Sequence, residues 1–231
     1  MKIGIIGAMT VEVQALKNGL ENKKVIKKAS MEFCEGTYLG KEVVVVRSGI
    51  GKVNAAVCTQ ILIDDFHVDV IMNTGIAGGL NNSIEIGDIV LSKDILHHDM
   101  DATGFGYGLG VIPQMDNSIF QGDESLVTLA KEVCETVNSD IKCHVGRIVT
   151  GDQFISGQEK KQWLIDTFDG YCAEMEGAAI AQTAYLNQCP FLIIRAISDK
   201  ADNSATMDYP QFEKEAAEHA IKLVNGMIEK L

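Results

Sequence analysis

Five charged side chains stand where packing alone gives them no reason to be. Glu174 and Glu176 lie in Ala173-Glu-Met-Glu-Gly-Ala-Ala179, at the start of a small-residue stretch that reads as a helix. Arg195 and Asp199 lie in Arg195-Ala-Ile-Ser-Asp199, directly after the apolar run Phe191-Leu-Ile-Ile194. Glu12 follows the N-terminal run Lys2-Ile-Gly-Ile-Ile-Gly7. A buried carboxylate is unfavourable by several kcal/mol unless it is paired or hydrogen-bonded. Acids at three strand-to-helix turns therefore suggest acid/base work on a neutral, hydroxyl-bearing substrate. Each has a plainer reading as well. Asp199 would serve as a helix N-cap after a strand, and Glu174 and Glu176 as a first helical turn favoured by the helix dipole. Glu12 would lie on a solvated helix face beside Lys17.

The elements that must position these groups can be read from hydropathy. Apolar, β-rich runs occur at 2–6, 42–47, 68–73, 87–92, 145–149 and 190–197. Val43-Val-Val-Val46 and Phe191–Ile194 are continuous rather than alternating, as in strands buried on both faces by covering helices. After Gly51, the positions Val53, Ala56, Val57, Gln60 and Ile61 suggest the apolar face of a helix. Phe212, Ala216, Ala220, Val224, Met227 and Leu231 recur at spacings of three and four and predict an amphipathic C-terminal helix. Pro210 suits its first turn and Asp208 a nearby cap. Segment 31–40, with Met31, Phe33 and Tyr38, reads as antiparallel. The expected fold class is α/β, a single three-layer α/β/α domain over residues 1–231 with a central mixed sheet. Three glycine-rich turns are expected after strands, at 4–9, 48–52 and 73–79. None fits a dinucleotide fingerprint or a P-loop. The last is dense enough in glycine to suggest close backbone approach to a ligand.

Composition narrows the function classes. The chain has 231 residues, 46% of them hydrophobic, enough for a full core. A net charge of −12 opposes nucleic-acid binding, which needs a basic footprint. No apolar stretch reaches membrane-spanning length, and the N-terminus does not read as a signal peptide. The six cysteines are scattered without ligand spacing, so neither a disulfide framework nor a metal site is expected. Reduced thiols in the cytoplasm are the simpler reading.

Taken in order, the segments Gly4–Met9 with Glu12, Ser48–Lys52, Asn73–Gly79, Gly151–Ile155, Glu174–Glu176 and Arg195–Asp199 resemble the 5′-methylthioadenosine/S-adenosylhomocysteine nucleosidases of the nucleoside phosphorylase/hydrolase family. The match runs over essentially the whole chain. The resemblance implies hydrolysis of the N-glycosidic bond of adenosine thioethers, without a cofactor. It implies that Asp199, with Ser198 beside it, is the general acid at adenine N7, and that Glu12 is the base for water. Glu176 would accept the ribose 2′- and 3′-hydroxyls, Met175 would line the ribose face, and Glu174 and Arg195 would hold one another and the water. Phe154 would stack on adenine, Ile155 would read the purine edge through its backbone, and Gly78 would line the base pocket. Met9, Ile50, Phe105, Tyr107, Pro113 and Tyr209 would form an apolar thioalkyl pocket partly supplied by a second subunit, so a homodimer is expected. Ile76 and Tyr209 stand where smaller or less polar residues are frequent. Three alternatives remain at this stage: a purine or uridine phosphorylase on the same fold, a hydrolase of a related adenine nucleoside, and a non-catalytic nucleoside sensor.

Overall fold

The computed structural model describes residues 1–231. In chain order the elements are β1 (Lys2–Gly7), α1 (Thr10–Asn18), β2 (Glu21–Lys28), β3 (Met31–Tyr38), β4 (Lys41–Arg47), α2 (Lys52–Asp64), β5 (Val70–Gly79), β6 (Ile89–His97), β7 (Phe120–Gln121), α3 (Glu124–Val137), β8 (Cys143–Thr150), α4 (Gln158–Phe168), β9 (Cys172–Glu174), α5 (Gly177–Leu186), β10 (Phe191–Asp199) and α6 (Ala205–Lys230). The continuous apolar runs form the inner strands, and alternate residues divide between two cores. Ile3, Ile5, Val43, Val45, Leu192 and Ile194 face one way, against α1, α3 and α6. Ile6, Val44, Val46, Ile193 and Ile197 face the other, against α2 and α5. A strand's period of two thus makes a three-layer α/β/α packing out of sequences with no visible alternation.

The sheet is mixed, as expected, with β3 antiparallel to β4 and β1 parallel to both β4 and β5. One feature goes beyond the layered reading. β10 pairs with β5 on one side and with β6 on the other. Through β6–β8, β8–β9 and β9–β5 pairing, the ring closes on itself. At one point on that ring Gly78 is in register with Ala173 of β9 and with Asp199 of β10. The register of β10 against β5 slips by one residue between Ile197 and Asp199. Such a bulge re-aims the side chains that follow it.

Three sequence expectations need correction. Asn73–Gly79 is not a turn but the second half of β5, buried through most of its length. Its glycines make room for neighbouring side chains rather than for chain reversal. On α2 the buried residues are Ala55, Cys58, Thr59, Ile61 and Leu62, whereas Val53 and Val57 face solvent at 76% and 40% exposure. Apolar residues occur on both sides of that helix, so periodicity alone does not choose its inner face. α6 begins at Ala205, which puts Asp208 in its first turn and Pro210 inside the helix rather than at its first turn. The amphipathic face read for the rest of α6 is the one that is buried at Ala216, Ala220, Val224 and Met227.

The inner and edge strands should respond very differently to truncation. Ile194→Ala, at a fully buried position, should lower unfolding free energy by about 2–5 kcal/mol in chemical denaturation. Val25→Ala on the solvent-exposed edge strand β2 should change it by no more than about 0.5 kcal/mol.

Candidate active site

β1, β5, β9 and β10 deliver their carboxyl-terminal ends or flanking turns to one cavity of about 500 Å³. Its wall contains four carboxylates, Glu12, Glu174, Glu176 and Asp199, and no lysine or arginine. Met9, Ile50, Gly78, Phe154, Ile155, Met175, Ser198 and Tyr209 also line it. The structure therefore brings together most of the residues singled out from sequence. Phe105, Tyr107 and Pro113 are not among the lining residues. They lie on the connection after β6, where Phe105 is 87% exposed.

Arg195 lies behind the wall and organises it. Its guanidinium is buried and paired with the Glu174 carboxylate. It also donates to Asn73 Oδ1 at 2.6 Å and to the Ile194 carbonyl at 2.9 Å. Glu174 in turn accepts the N–H groups of Glu176 and Gly177, at 3.1 and 2.7 Å. It thereby caps the N-terminus of α5, where the dipole favours an anion. Thr150 supports it from the opposite side, donating its hydroxyl to Glu174 and accepting the Ala178 N–H at 2.8 Å. Burial opposes the Arg195 charge, yet Glu174, Glu176 and Glu12 hold its pKa above the ordinary arginine value.

The other three acids are held less completely. Glu12 accepts the Met9 N–H at 2.8 Å and the Ile76 N–H at 3.3 Å. Burial nevertheless pushes its pKa up, against the pull of those donors and of Arg195. Glu176 accepts the Gly51 N–H at 2.9 Å on one oxygen, while the other lies 3.9 Å from Arg195 Nη2. Burial and the adjacent Glu174 charge push Glu176 up to about 7. Asp199 accepts the Ala201 N–H at 2.8 Å and the Ser198 hydroxyl at 2.9 Å. Burial raises its pKa above the ordinary aspartate value despite both donors. It is not an N-cap, because α6 starts six residues later. A carboxyl whose pKa is raised by burial is suited to give up a proton or to take one, the work of a general acid or base.

Two glycines of β5 make this approach possible. A Cβ at Gly75 would lie 2.9 Å from Glu12 Oε1 and 3.2 Å from Arg195 Nη1. A Cβ at Gly78 would lie 2.9 Å from Asp199 Oδ1. Sequence reasoning credited this glycine run to a ligand, and Gly78 does line the cavity, but Glu12, Arg195, Asp199 and Ala201 also crowd Gly75 and Gly78. It missed Asn73 and Thr150, the supports of the ion pair. A polar residue within an otherwise apolar strand was the available signal for Asn73. Gln153 and Thr206 were also missed as lining residues. Phe154 is half exposed, and its ring meets that of Tyr209 edge-on at 5.8 Å. The Tyr209 hydroxyl lies 3.3 Å from both Met9 Sδ and a Glu213 carboxylate oxygen.

This geometry can be set beside known proteins. The family model for the phosphorylase superfamily matches residues 2–229. A 5′-methylthioadenosine/S-adenosylhomocysteine nucleosidase of an Exiguobacterium species is 44% identical, covering 100% of this chain and 99% of that protein. The structure of a nucleosidase of the same name from Colwellia psychrerythraea, in complex with adenine, is 41% identical with a TM-score of 0.96, covering 100% of this chain and 96% of that one. The futalosine hydrolase of Helicobacter pylori is 33% identical with a TM-score of 0.94, covering 100% and 98%. With the family model spanning nearly every residue and that Exiguobacterium relative matched end to end, the chain belongs to the phosphorylase superfamily, among the 5′-methylthioadenosine/S-adenosylhomocysteine nucleosidases.

Proposed function

We propose that the chain hydrolyses the N-glycosidic bond of 5′-methylthioadenosine and S-adenosylhomocysteine, releasing adenine and the 5-thioribose product. The observation that carries a hydrolase over a phosphorylase is the cavity wall, with four carboxylates and no cation. Phosphate entering it would meet repulsion and no counter-charge, whereas water meets a base. The one nearby guanidinium, Arg195, is already bound to Glu174.

In this reading Asp199 gives its proton to adenine N7 as the C1′–N9 bond breaks and its electron pair moves into the base. The ribose becomes oxocarbenium-like, as in glycoside hydrolysis generally. Glu176 accepts the ribose hydroxyls through the oxygen that Gly51 leaves free, and Met175 lies along the ribose face. Glu12 takes a proton from the water that attacks C1′. Phe154, Ile155 and Gly78 form the base end of the cavity. Met9, Ile50 and Tyr209 form the apolar end that receives the 5′ substituent. The likeness to futalosine hydrolase keeps a related nucleoside in view. Cleavage assays with methylthioadenosine, S-adenosylhomocysteine, 5′-deoxyadenosine and futalosine separate the two readings.

The working unit in this proposal is a homodimer. Its support is apolar surface: Ile50, Val53, Val57, Phe105, Tyr107 and Leu186 are all exposed in the single chain. Large apolar side chains open to solvent are the kind of surface that an interface or a ligand covers. Phe105, Tyr107 and Pro113 lie outside their own chain's cavity and would complete the partner's.

Asp199→Asn should lower kcat by about 10²–10⁴-fold, the usual contribution of a positioned general acid, while methylthioadenosine still binds by calorimetry. Retention of more than about a tenth of the wild-type rate would remove Asp199 from that role. Adenine release by the wild type should be the same with and without phosphate, and Glu12→Gln should lose most of it. Accumulation of a sugar 1-phosphate would instead support the phosphorylase reading. Sedimentation at micromolar concentration should give a dimer, and Tyr107→Ala should raise KM for methylthioadenosine. A fully active monomer would contradict the shared site.

A further inference from the structure

Asp99 follows β6 and lies outside the cavity wall, yet its carboxylate ties together three separate segments. Lys52, the first residue of α2, donates its ammonium to both Asp99 oxygens, at 2.6 and 2.7 Å. The Asp152 N–H donates to the same carboxylate at 3.1 Å. The clasp closes on itself, because the Lys52 N–H donates to Asp152 Oδ1 at 2.9 Å. A lysine at a helix N-terminus faces the positive end of the dipole, so its place there depends on a counter-charge. Both side chains are largely shielded, with 23% exposure for Lys52 and 17% for Asp99.

The clasp sits beside two parts of the site. Immediately before Lys52, the Gly51 N–H holds Glu176 Oε1 at 2.9 Å, and Ile50 lines the cavity. Immediately after Asp152, Gln153, Phe154 and Ile155 line it too. Neither Lys52 nor Asp99 is itself among the lining residues. We propose that the Lys52–Asp99 ion pair is a positioning device that sets how firmly Glu176 grips the ribose hydroxyls, by fixing the Gly51 N–H on the Glu176 carboxylate. The inference rests on the nucleoside reading of the cavity. With one oxygen of Glu176 pinned by Gly51, the other is presented to the substrate. Without the clasp, the turn before α2 loses its anchor, and the Glu176 carboxylate loses its backbone donor.

The ligand-free test is the pKa of Glu176, followed by carbon NMR in wild type, Asp99→Ala and Lys52→Arg. Removing a negative charge at Asp99 by itself would lower the Glu176 pKa. Loss of the Gly51 donor would raise it above its value of about 7. The proposal predicts a rise in Asp99→Ala and little change in Lys52→Arg, which keeps the ion pair. A fall or no change in Asp99→Ala would overturn it. The kinetic test compares methylthioadenosine with its 2′-deoxy analogue. Asp99→Ala should lose about tenfold in kcat/KM on the first, the scale of one hydrogen bond to a charged group, and less on the second, which keeps only the 3′-hydroxyl for Glu176. Lys52→Arg, whose guanidinium keeps the positive charge and can meet both Asp99 oxygens, should stay within about threefold on both. Equal losses on the two substrates would mean general structural damage and would refute the positioning role. A wild type that leaves methylthioadenosine uncut would remove the methylthioadenosine reading, while the Glu176 shift would still decide the clasp.

Discussion

The buried pair between Arg195 and Glu174 is the constraint on which the site depends. Both side chains are 2% exposed. Removing two charges from water is unfavourable unless every remaining donor and acceptor is met. Here they are met by Asn73, by the Ile194 carbonyl, by Thr150 and by the first N–H groups of α5. The pair thus fastens β5, β8, β9, β10 and α5 at one point. It also occupies the guanidinium that lies behind the cavity wall. Glu12, Glu176 and Asp199 are left in a cavity whose wall holds no lysine or arginine, and burial raises the pKa of all three. A negative, desolvated wall suits a reaction whose positive charge develops on a sugar ring, because its electrostatics are fixed before the substrate arrives.

Closure of the sheet brings these groups within reach of one another. An open sheet would leave β10 at its edge, with β6 and β8 between it and β9. The ring through β5, β9, β8, β6 and β10 instead sets Ala173 and Asp199 on either side of Gly78. The bulge at the end of β10 lets Ser198 and Asp199 both face the cavity. The missing side chains at Gly75 and Gly78 allow acids to approach the strand backbone more closely than any Cβ would permit.

Much of this was legible in the sequence, for identifiable reasons. The strands that carry the site are continuous apolar runs, and acids placed at their ends are conspicuous because packing gives them no reason to be there. What remained hidden depends on pairing between distant strands. Nothing local in Phe191–Asp199 shows that it will meet both β5 and β6. Asn73 and Thr150 read as ordinary strand residues until Arg195 and Glu174 lie opposite them. Asn73–Gly79 read as a turn because its glycine content is high, but the crowding that demands glycine comes from Glu12 and Arg195 at Gly75, Asp199 and Ala201 at Gly78, and Ile197 at Gly79. The apolar face of α2 was misread because the helix carries apolar residues on both sides, and Val53 and Val57 are left outward. The start of α6 was set too late because Pro210 suits a first turn, whereas the helix runs through it.

Burial holds the Asp199 carboxyl above its ordinary pKa, against two hydrogen-bond donors, and so suits it to deliver a proton to the base. The most direct test is the carboxyl titration of Asp199 in the ligand-free protein, followed by carbon-13 NMR with Asp199→Asn assigning the signal. The account predicts a midpoint clearly above the ordinary aspartate value of 3.8. A midpoint at or below that value would show an ionised carboxylate throughout the working range, and the proton delivered to the base would have to come from elsewhere.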